Sequence, residues 1–470
     1  YKTKNSNLQA YVNTTLTKMA YGGIFDQVGG GFARYSVDEK WHIPHFEKML
    51  YDNGQLVSLY SDAYLINKNE LYKETVYNTL EFIERELLHE NGGFYASLDA
   101  DSMNEENELE EGAFYVWKKE ELEKIIGSEF ELFSQYYNIN EYGFWENNAY
   151  NLIRSKADDE FAILNNIEIT DLKKIVDQWK NKLLVERAKR QPPRLDDKIL
   201  TSWNALMLKG YIDAYRVFND NHFLDIALKN ASFLEENIIK NDGSLFRSYK
   251  NKKATINAYL EDYATLIEAY ISLYEVSLED KWVLLAKKLS DYTFEHFYDK
   301  DSNMFFFTSD IDSKLITKKT ELEDNVIPSS NSIMAKNLTK LGHFFEDANY
   351  LKTSRQMVHN IAPLIENYPS SYSNWLDIYT HLSGSFYELA IVGKDAIQKI
   401  KEVNKHYIPN KVICGRVSDI KNKSFSENEA EFPLLKNRFI QGSTMIYVCV
   451  NNSCNFPTND SSIALKQLSN

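Results

Sequence analysis

The spacing of residues along this chain predicts a mainly α fold. It reads as an (α/α)6 toroid of helical hairpins, similar in plan to a six-hairpin barrel, with a small C-terminal α/β region. Three observations lead there. A helix–turn–helix pattern recurs at a fixed interval: Tyr64 precedes Gly92 by 28 residues, Tyr215 precedes Gly243 by 28, and Tyr274 precedes Ser302 by 28. Candidate helices fall into two sets of six, one starting near 45, 115, 198, 257, 330 and 373, the other covering about 5–20, 70–90, 169–190, 221–239, 280–298 and 348–366. Past Ser385 the pattern changes to strand runs, YELAIVG, NKVICG and TMIYVCV, around one helical stretch. The organisation expected is therefore a barrel over 1–385 and a small α/β region over 386–470.

Taken in order, the segment 5–20 is a helix stopped by Gly22-Gly23. A glycine-rich loop follows, GGIFDQVGGGFARYSVDEKWHIPHFEKMLYDNGQ, which packs five glycines into its first ten residues and then runs through Arg34, Asp38, His42, His45, Glu47, Lys48 and Asp52. Glycine admits positive φ and close backbone approach, and this density of ionisable groups exceeds what a connecting loop needs. Pro44 suits a first helical turn, so a helix is expected from there to about Ile66, with His45, Lys48, Asp52 and Gln55 on one face. Each later interval repeats the plan: end of one helix, a polar turn (NKNE, NDNH, SLED, then EDAN), a second helix, and a turn leading into aromatics. In a ring of hairpins the starts of the first helices gather at one mouth. The last such helix, near 373–383, would pair with the helix at 5–20 to close the ring.

Length and composition set the class. The chain has 470 residues, 43% hydrophobic and 26% charged, as a soluble globular protein does. Its net charge of −15 argues against nucleic acid or an anionic membrane as partner. No apolar run is long enough to span a bilayer. The chain starts at Tyr1 without Met or signal peptide and reads as a fragment or processed form. Cys414, Cys449 and Cys454 are few and odd in number, which suggests a reducing, cytoplasmic setting; Cys449-x4-Cys454 is a weak metal or redox signal, and buried free thiols are the preferred reading.

The repeat also points to chemistry. Eleven or twelve residues before Tyr64, Tyr215 and Tyr274 lie Asp52, Asn204 and Asp262, with Asn53, Trp203 and Glu261 beside them, and the looser fourth copy offers Ser330 and Asn331. LDDKILTSWNALM adds Asp197 and Lys198. A polar stripe on a helix that must be mostly buried lines a cavity or closes an ion network. The acidic stretch from Asp99 and Asp101 to Glu110 and Glu111 lacks the glycine of a calcium loop and reads as solvated. No zinc, nucleotide or serine-hydrolase motif occurs, so no cofactor or metal is expected.

The segments GGIFDQVGGGFARYSVDEKWHIPHFEKMLYDN, SLDADS, EEGAFYVW, DDKILTSWNALM and YLEDYA, with the closing YVCVNNSCNFPTND, resemble the YyaL-type family. That family includes the spermatogenesis-associated thioredoxin-like proteins of animals. The resemblance runs through nearly the whole chain in the same order. It implies an (α/α)6 barrel similar to N-acylglucosamine 2-epimerases and six-hairpin glycosidases, and an N-terminal thioredoxin-like domain that this chain does not include. At two positions where the family motif carries histidine, this chain has Gln27 and Ala33.

The reading that results is carbohydrate-directed acid/base chemistry in the barrel mouth. It would be either glycoside cleavage by paired carboxylates or epimerisation by a His–carboxylate pair. Its candidate catalytic residues are His45, Glu47, Asp52, Asp197, Glu261 and Asp262. Trp41 and Trp203 would stack on the sugar, and Arg34, Lys48, Lys198, Asn204 and Asn331 would bind it. The alternative is a non-catalytic scaffold for a ligand or protein that accompanies the thioredoxin-like domain.

Overall fold

The computed structural model describes residues 5–313, 316–417 and 432–468. It divides into two compact units: the chain up to Glu90 with Phe94–Lys198, and Asn91–Gly93 with the chain from Ile199 onward.

The first unit holds α1 (Ser6–Tyr21), α2 (Leu50–Asn67), α3 (Glu70–Phe82), α4 (Lys119–Ile126), α5 (Phe130–Tyr137), α6 (Asp158–Leu164) and α7 (Ile169–Arg187). The second holds α8 (Thr201–Phe218), α9 (Asn221–Asn237), α10 (Leu260–Ser277), α11 (Asp280–His296), α12 (Ser330–Phe345), α13 (Ala348–Asn367), α14 (Ser373–Leu382), α15 (Ala396–Val403) and α16 (Ser461–Gln467). The protein is thus mainly helical and built of hairpins, as expected. α10 is buried around most of its circumference, with Tyr263, Tyr270 and Tyr274 all at 0% exposure, which is how an inner helix is buried.

The periodic tyrosines have a backbone explanation. The first helices of the pairs α2–α3, α8–α9, α10–α11 and α12–α13 end on left-handed residues: Lys68 (φ 55°), Asn219 (φ 56°), Leu278 (φ 56°) and Glu346 (φ 51°). Each cap N–H bonds the carbonyl of Tyr64, Tyr215, Tyr274 or Gly342. The next residue caps the following helix, and Asn69, Asp220 and Asp347 do so through their side chains. The 28-residue interval therefore measures from a helix's C-terminal hydrogen-bond acceptor, through one hairpin partner, to the next turn.

Side chains at the starts of the first helices hold the loops that precede them. Asn53 accepts from Phe32 N (2.8 Å) and donates to Phe32 O (3.1 Å). Asn331 does the same with Phe305, at 2.9 Å in both directions. Asn204 donates to Leu200 O and accepts from Asn230. These asparagines are fully buried, so each closes hydrogen bonds that water cannot reach.

Three expectations are corrected. Pro44 does not open a helix: Pro44–His45 pairs antiparallel with Tyr35–Ser36, Lys48–Met49 pairs with Ser97–Leu98, and the helix starts at Leu50. Pairing on both stretches overrides local helix preference, and His45 and Lys48 are consequently strand residues rather than members of a helical face with Asp52. The helix expected near 115 starts at Lys119 and is broken at Gly127, whose φ of 72° stops α4 before a short 3-10 turn leads into α5. Cys449 and Cys454 are not free thiols: they face each other across a hairpin and form a disulfide. Cys414 is free and buried.

After α14 a four-stranded sheet has Tyr387–Val392 between parallel Lys411–Arg416 and antiparallel Met445–Val450, with Ser453–Cys454 at the edge. It belongs to the same compact unit as α8–α14.

Candidate active site

The glycine-rich loop is shaped by close approach. Gly30 takes φ +74°, and a Cβ there would lie 2.0 Å from Asn78 O. Gly22 lies against Trp41, whose carbonyl oxygen a Cβ would meet at 2.3 Å. Trp41 itself takes φ 61°, so its backbone turns the loop. Gln27 is buried and donates to Ala20 O, Gly22 O and Phe25 O, tying the loop to the end of α1.

The loop, the short strands and the first turn of α2 bring together Arg34, His45, Glu47 and Asp52. Arg34 donates to Glu47 Oε2 (3.3 Å) and to the Tyr51 hydroxyl. His45 Nδ1 lies 2.7 Å from Glu111 Oε1, its Nε2 lies 3.8 Å from Glu47 Oε2, and its ring stacks on Tyr35 at 5.0 Å. Asp52 is partly buried, yet its Oδ2 is shut off from solvent and has no hydrogen-bond partner. Burial raises the Asp52 carboxyl to about 7, against the pull of Arg34 and with the help of Glu47. The group therefore exchanges a proton near neutral pH, as a general acid or base must.

Lys48 lies in a different environment. It is buried at 3% exposure, with Nζ 2.9 Å from Asp26 Oδ2 and 2.8 Å from Gly30 O. Burial lowers it to about 8 in spite of Asp26. Asp26 also accepts from Arg187 Nη1 (2.7 Å) and Nη2 (3.1 Å). Burial alone would raise Asp26, but the two cations hold it far below the usual carboxylate range.

Of the other residues in the first unit, Lys198 Nζ pairs with Asp196 Oδ2 at 2.9 Å, and Asp197 lies near enough to Tyr95 to act on its phenol.

In the second unit Glu261 and Asp262 form one knot. Asp262 is fully buried and accepts from Tyr259 N (3.0 Å), Ser202 N (3.1 Å) and Arg247 Nη1 (3.0 Å). It caps α10 by accepting from the Tyr259 N–H. Glu261 accepts from Ser202 Oγ at 2.6 Å, and burial followed by the Asp262 charge raises its carboxyl. Trp203 follows Ser202 on α8 and is partly buried. Asn204 and Asn331 are taken up by the loop-holding bonds described above, which leaves their amides little capacity for a ligand.

No family model matches the chain. It is 30% identical over 97% of its length to spermatogenesis-associated protein 20 of Homo sapiens. The chain resembles that family from end to end. It covers 62% of the human protein's length. An uncharacterized protein of Caenorhabditis elegans is 32% identical over 76% of this chain and 52% of its own length. Among solved structures, a sugar epimerase from a ruminal bacterium matches 76% of this chain and 72% of its own, at 14% identity and a TM-score of 0.47. At that level the likeness says nothing about activity. Among the described residues no helix is long and apolar enough to cross a membrane, and no group of three or more His, Cys, Asp or Glu is arranged to hold a metal ion.

Sequence reasoning missed several participants. Glu111 belongs to a stretch read as solvated acid, yet it accepts from His45 and lies within reach of Phe46 N (3.4 Å). Arg247 and Ser202 carry no signal in spacing, because the hairpin of Phe246–Lys250 with Lys253–Asn257 delivers Arg247 to the start of α10. Arg187 reaches Asp26 from the end of α7, 161 residues away.

Proposed function

We propose that the chain is a carbohydrate-active (α/α)6 barrel that performs acid/base chemistry on a sugar, with Asp52 as the proton-exchanging group. The observation that carries this reading is the unpartnered Asp52 Oδ2, on a carboxyl raised to about 7. A buried carboxyl without a partner costs stability, and functional sites are where such groups are kept. His45, oriented by Glu111, is the second proton handler, and Arg34 and Glu47 hold polar substituents. A sugar suits this set: its hydroxyls need paired donors and acceptors, and its C–H face needs an aromatic such as the exposed Tyr35. Hydrolysis and epimerisation both fit these groups.

A panel of monosaccharides, uronates and disaccharides tests it by thermal shift. A specific shift is expected that disappears in Asp52→Asn, followed by turnover of that compound in the unsubstituted protein. If Asp52→Asn leaves binding and turnover unchanged, the assignment of Asp52 is wrong.

The scaffold reading also has an observation behind it. Asp262, Asn204 and Asn331 are fully buried and hold backbone groups, as a filled structural site would. The absence of a shift with any sugar, together with capture of the thioredoxin-like part of a full-length relative, would favour it.

A further inference from the structure

The first unit contains a cavity of about 140 Å³ lined by Asp26, Lys48, Arg85, Tyr115 and Arg187, with Phe82 and Phe114 among its walls. That is room for about five waters' share of liquid volume. Its charges do not balance. Lys48 and Arg187 are buried at 3% and 4% exposure, and the only buried carboxylate among the lining residues is Asp26, which both cations share. Arg85 adds a third cation, held through Nη2 to Gly29 O (2.7 Å) and Nε to Glu86 (2.8 Å), and that glutamate is itself partly exposed. A net positive interior is costly unless an anion or a well-placed π-face offsets it. Aromatic rings supply part of the offset, with Lys48 Nζ 4.4 Å from the Phe82 centroid and 4.7 Å from that of Tyr115.

Two hydrogen-bond donors point the same way. The Tyr115 hydroxyl and Arg187 Nε are buried and have no partner, although both residues line the cavity. Buried donors are nearly always satisfied, so these two call for an acceptor that the chain does not supply. We propose that this cavity is a binding site for a small oxyanion, a carboxylate or phosphate group, gripped by the Tyr115 hydroxyl, Arg187, Lys48 and Arg85. The site is separate from the Asp52 chemistry and does not depend on it.

Isothermal titration of the purified chain with inorganic phosphate, sulfate and acetate tests this, each against chloride at equal ionic strength. Saturable one-site binding of at least one of them is expected, and which one binds identifies the headgroup. Tyr115→Phe should weaken it ~10-fold, the loss of one hydrogen bond to a charged group. Lys48→Met leaves Asp26 paired with Arg187 and Arg85 with Glu86, so no cation is left in excess, and it should abolish binding while the far-UV circular dichroism and melting transition persist. No saturable binding of any of the three ions, or binding that both variants retain, would show that the cavity holds water alone and would overturn the proposal.

Discussion

Asp52 occupies the first turn of α2, where the helix dipole favours a negative charge, yet its carboxyl is raised to about 7. Burial outweighs both the dipole and Arg34. The consequence for stability has a definite sign. In the unfolded chain the group ionises near pH 4, so between pH 4 and 7 the folded state binds the extra proton. Folding is favoured by this group below pH 4, and that contribution is lost as pH rises to about 7. Asp52→Asn cannot ionise, so it should gain relative to the parent across that window by about 4 kcal/mol, with no further change above it. Denaturant unfolding of both proteins at a series of pH values checks this. A constant difference across the window would mean that the carboxyl titrates normally. Asp52 was legible because the repeat marks the starts of the first helices. The residues around it were less so: Glu111, which bonds His45, comes from a hairpin 59 residues beyond Asp52, and an acidic stretch reads as solvent-facing unless its fold is known.

At the scale of elements, the hairpins share one backbone device, a left-handed residue that closes the first helix, but the side chains at that position have different surroundings. Lys68 and Glu346 are exposed. Leu278 is 8% exposed and packs among Tyr387, Leu389 and Ile391 of the C-terminal sheet. Glycine removes the cost of a Cβ in this conformation, ~1 kcal/mol. Glu346→Gly and Lys68→Gly should therefore stabilise the protein by about 0.5–1 kcal/mol, with Lys68 at the lower end because its Nζ lies 5.0 Å from the Tyr64 ring. Leu278→Gly should destabilise it by about 1–3 kcal/mol, since the loss of a buried leucine outweighs the backbone gain. Chemical denaturation of the three variants checks both signs, and equal effects at all three positions would remove the packing argument. The turn sequences NKNE, NDNH, SLED and EDAN made these hairpins visible in advance. Pro44 misled because its partner strand, Tyr35–Ser36, is set by a loop whose glycines fold by tertiary contact rather than local preference.

At the scale of the whole molecule, the sequence changes character at 385/386, and the structure changes from helix to sheet between Leu382 and Tyr387. A change of style need not be a boundary of folding. The sheet is bonded to the hairpins of its own unit at many points. Glu275 accepts from Ile413 N (3.1 Å), the Tyr274 hydroxyl donates to Gly415 O (3.2 Å), Arg416 pairs with Asp280 (2.7 Å), and Glu388, nearly fully buried, pairs with His343 (2.7 Å). Cys414 lies against the Tyr274 hydroxyl at 3.3 Å, and burial pushes its thiol up to about 12, so it behaves as core rather than as a reactive group. None of these pairings is legible in sequence, because each joins residues more than 40 positions apart through side chains whose types recur throughout the chain. They predict that a chain ending at residue 385 does not retain the stability of the full one. Removing the sheet uncovers Tyr274 and Leu278, leaves the Tyr274 hydroxyl without Gly415 and His343 without Glu388, and takes Ile413 N from Glu275, which keeps Lys340, so the losses are several buried contacts of ~1–3 kcal/mol each against a total stability of about 5–15 kcal/mol. Calorimetry of the two chains decides it. The shortened chain should lose its cooperative transition or melt far below the parent. An unchanged melting temperature would instead establish 386–470 as an autonomous domain that merely rests on the helices.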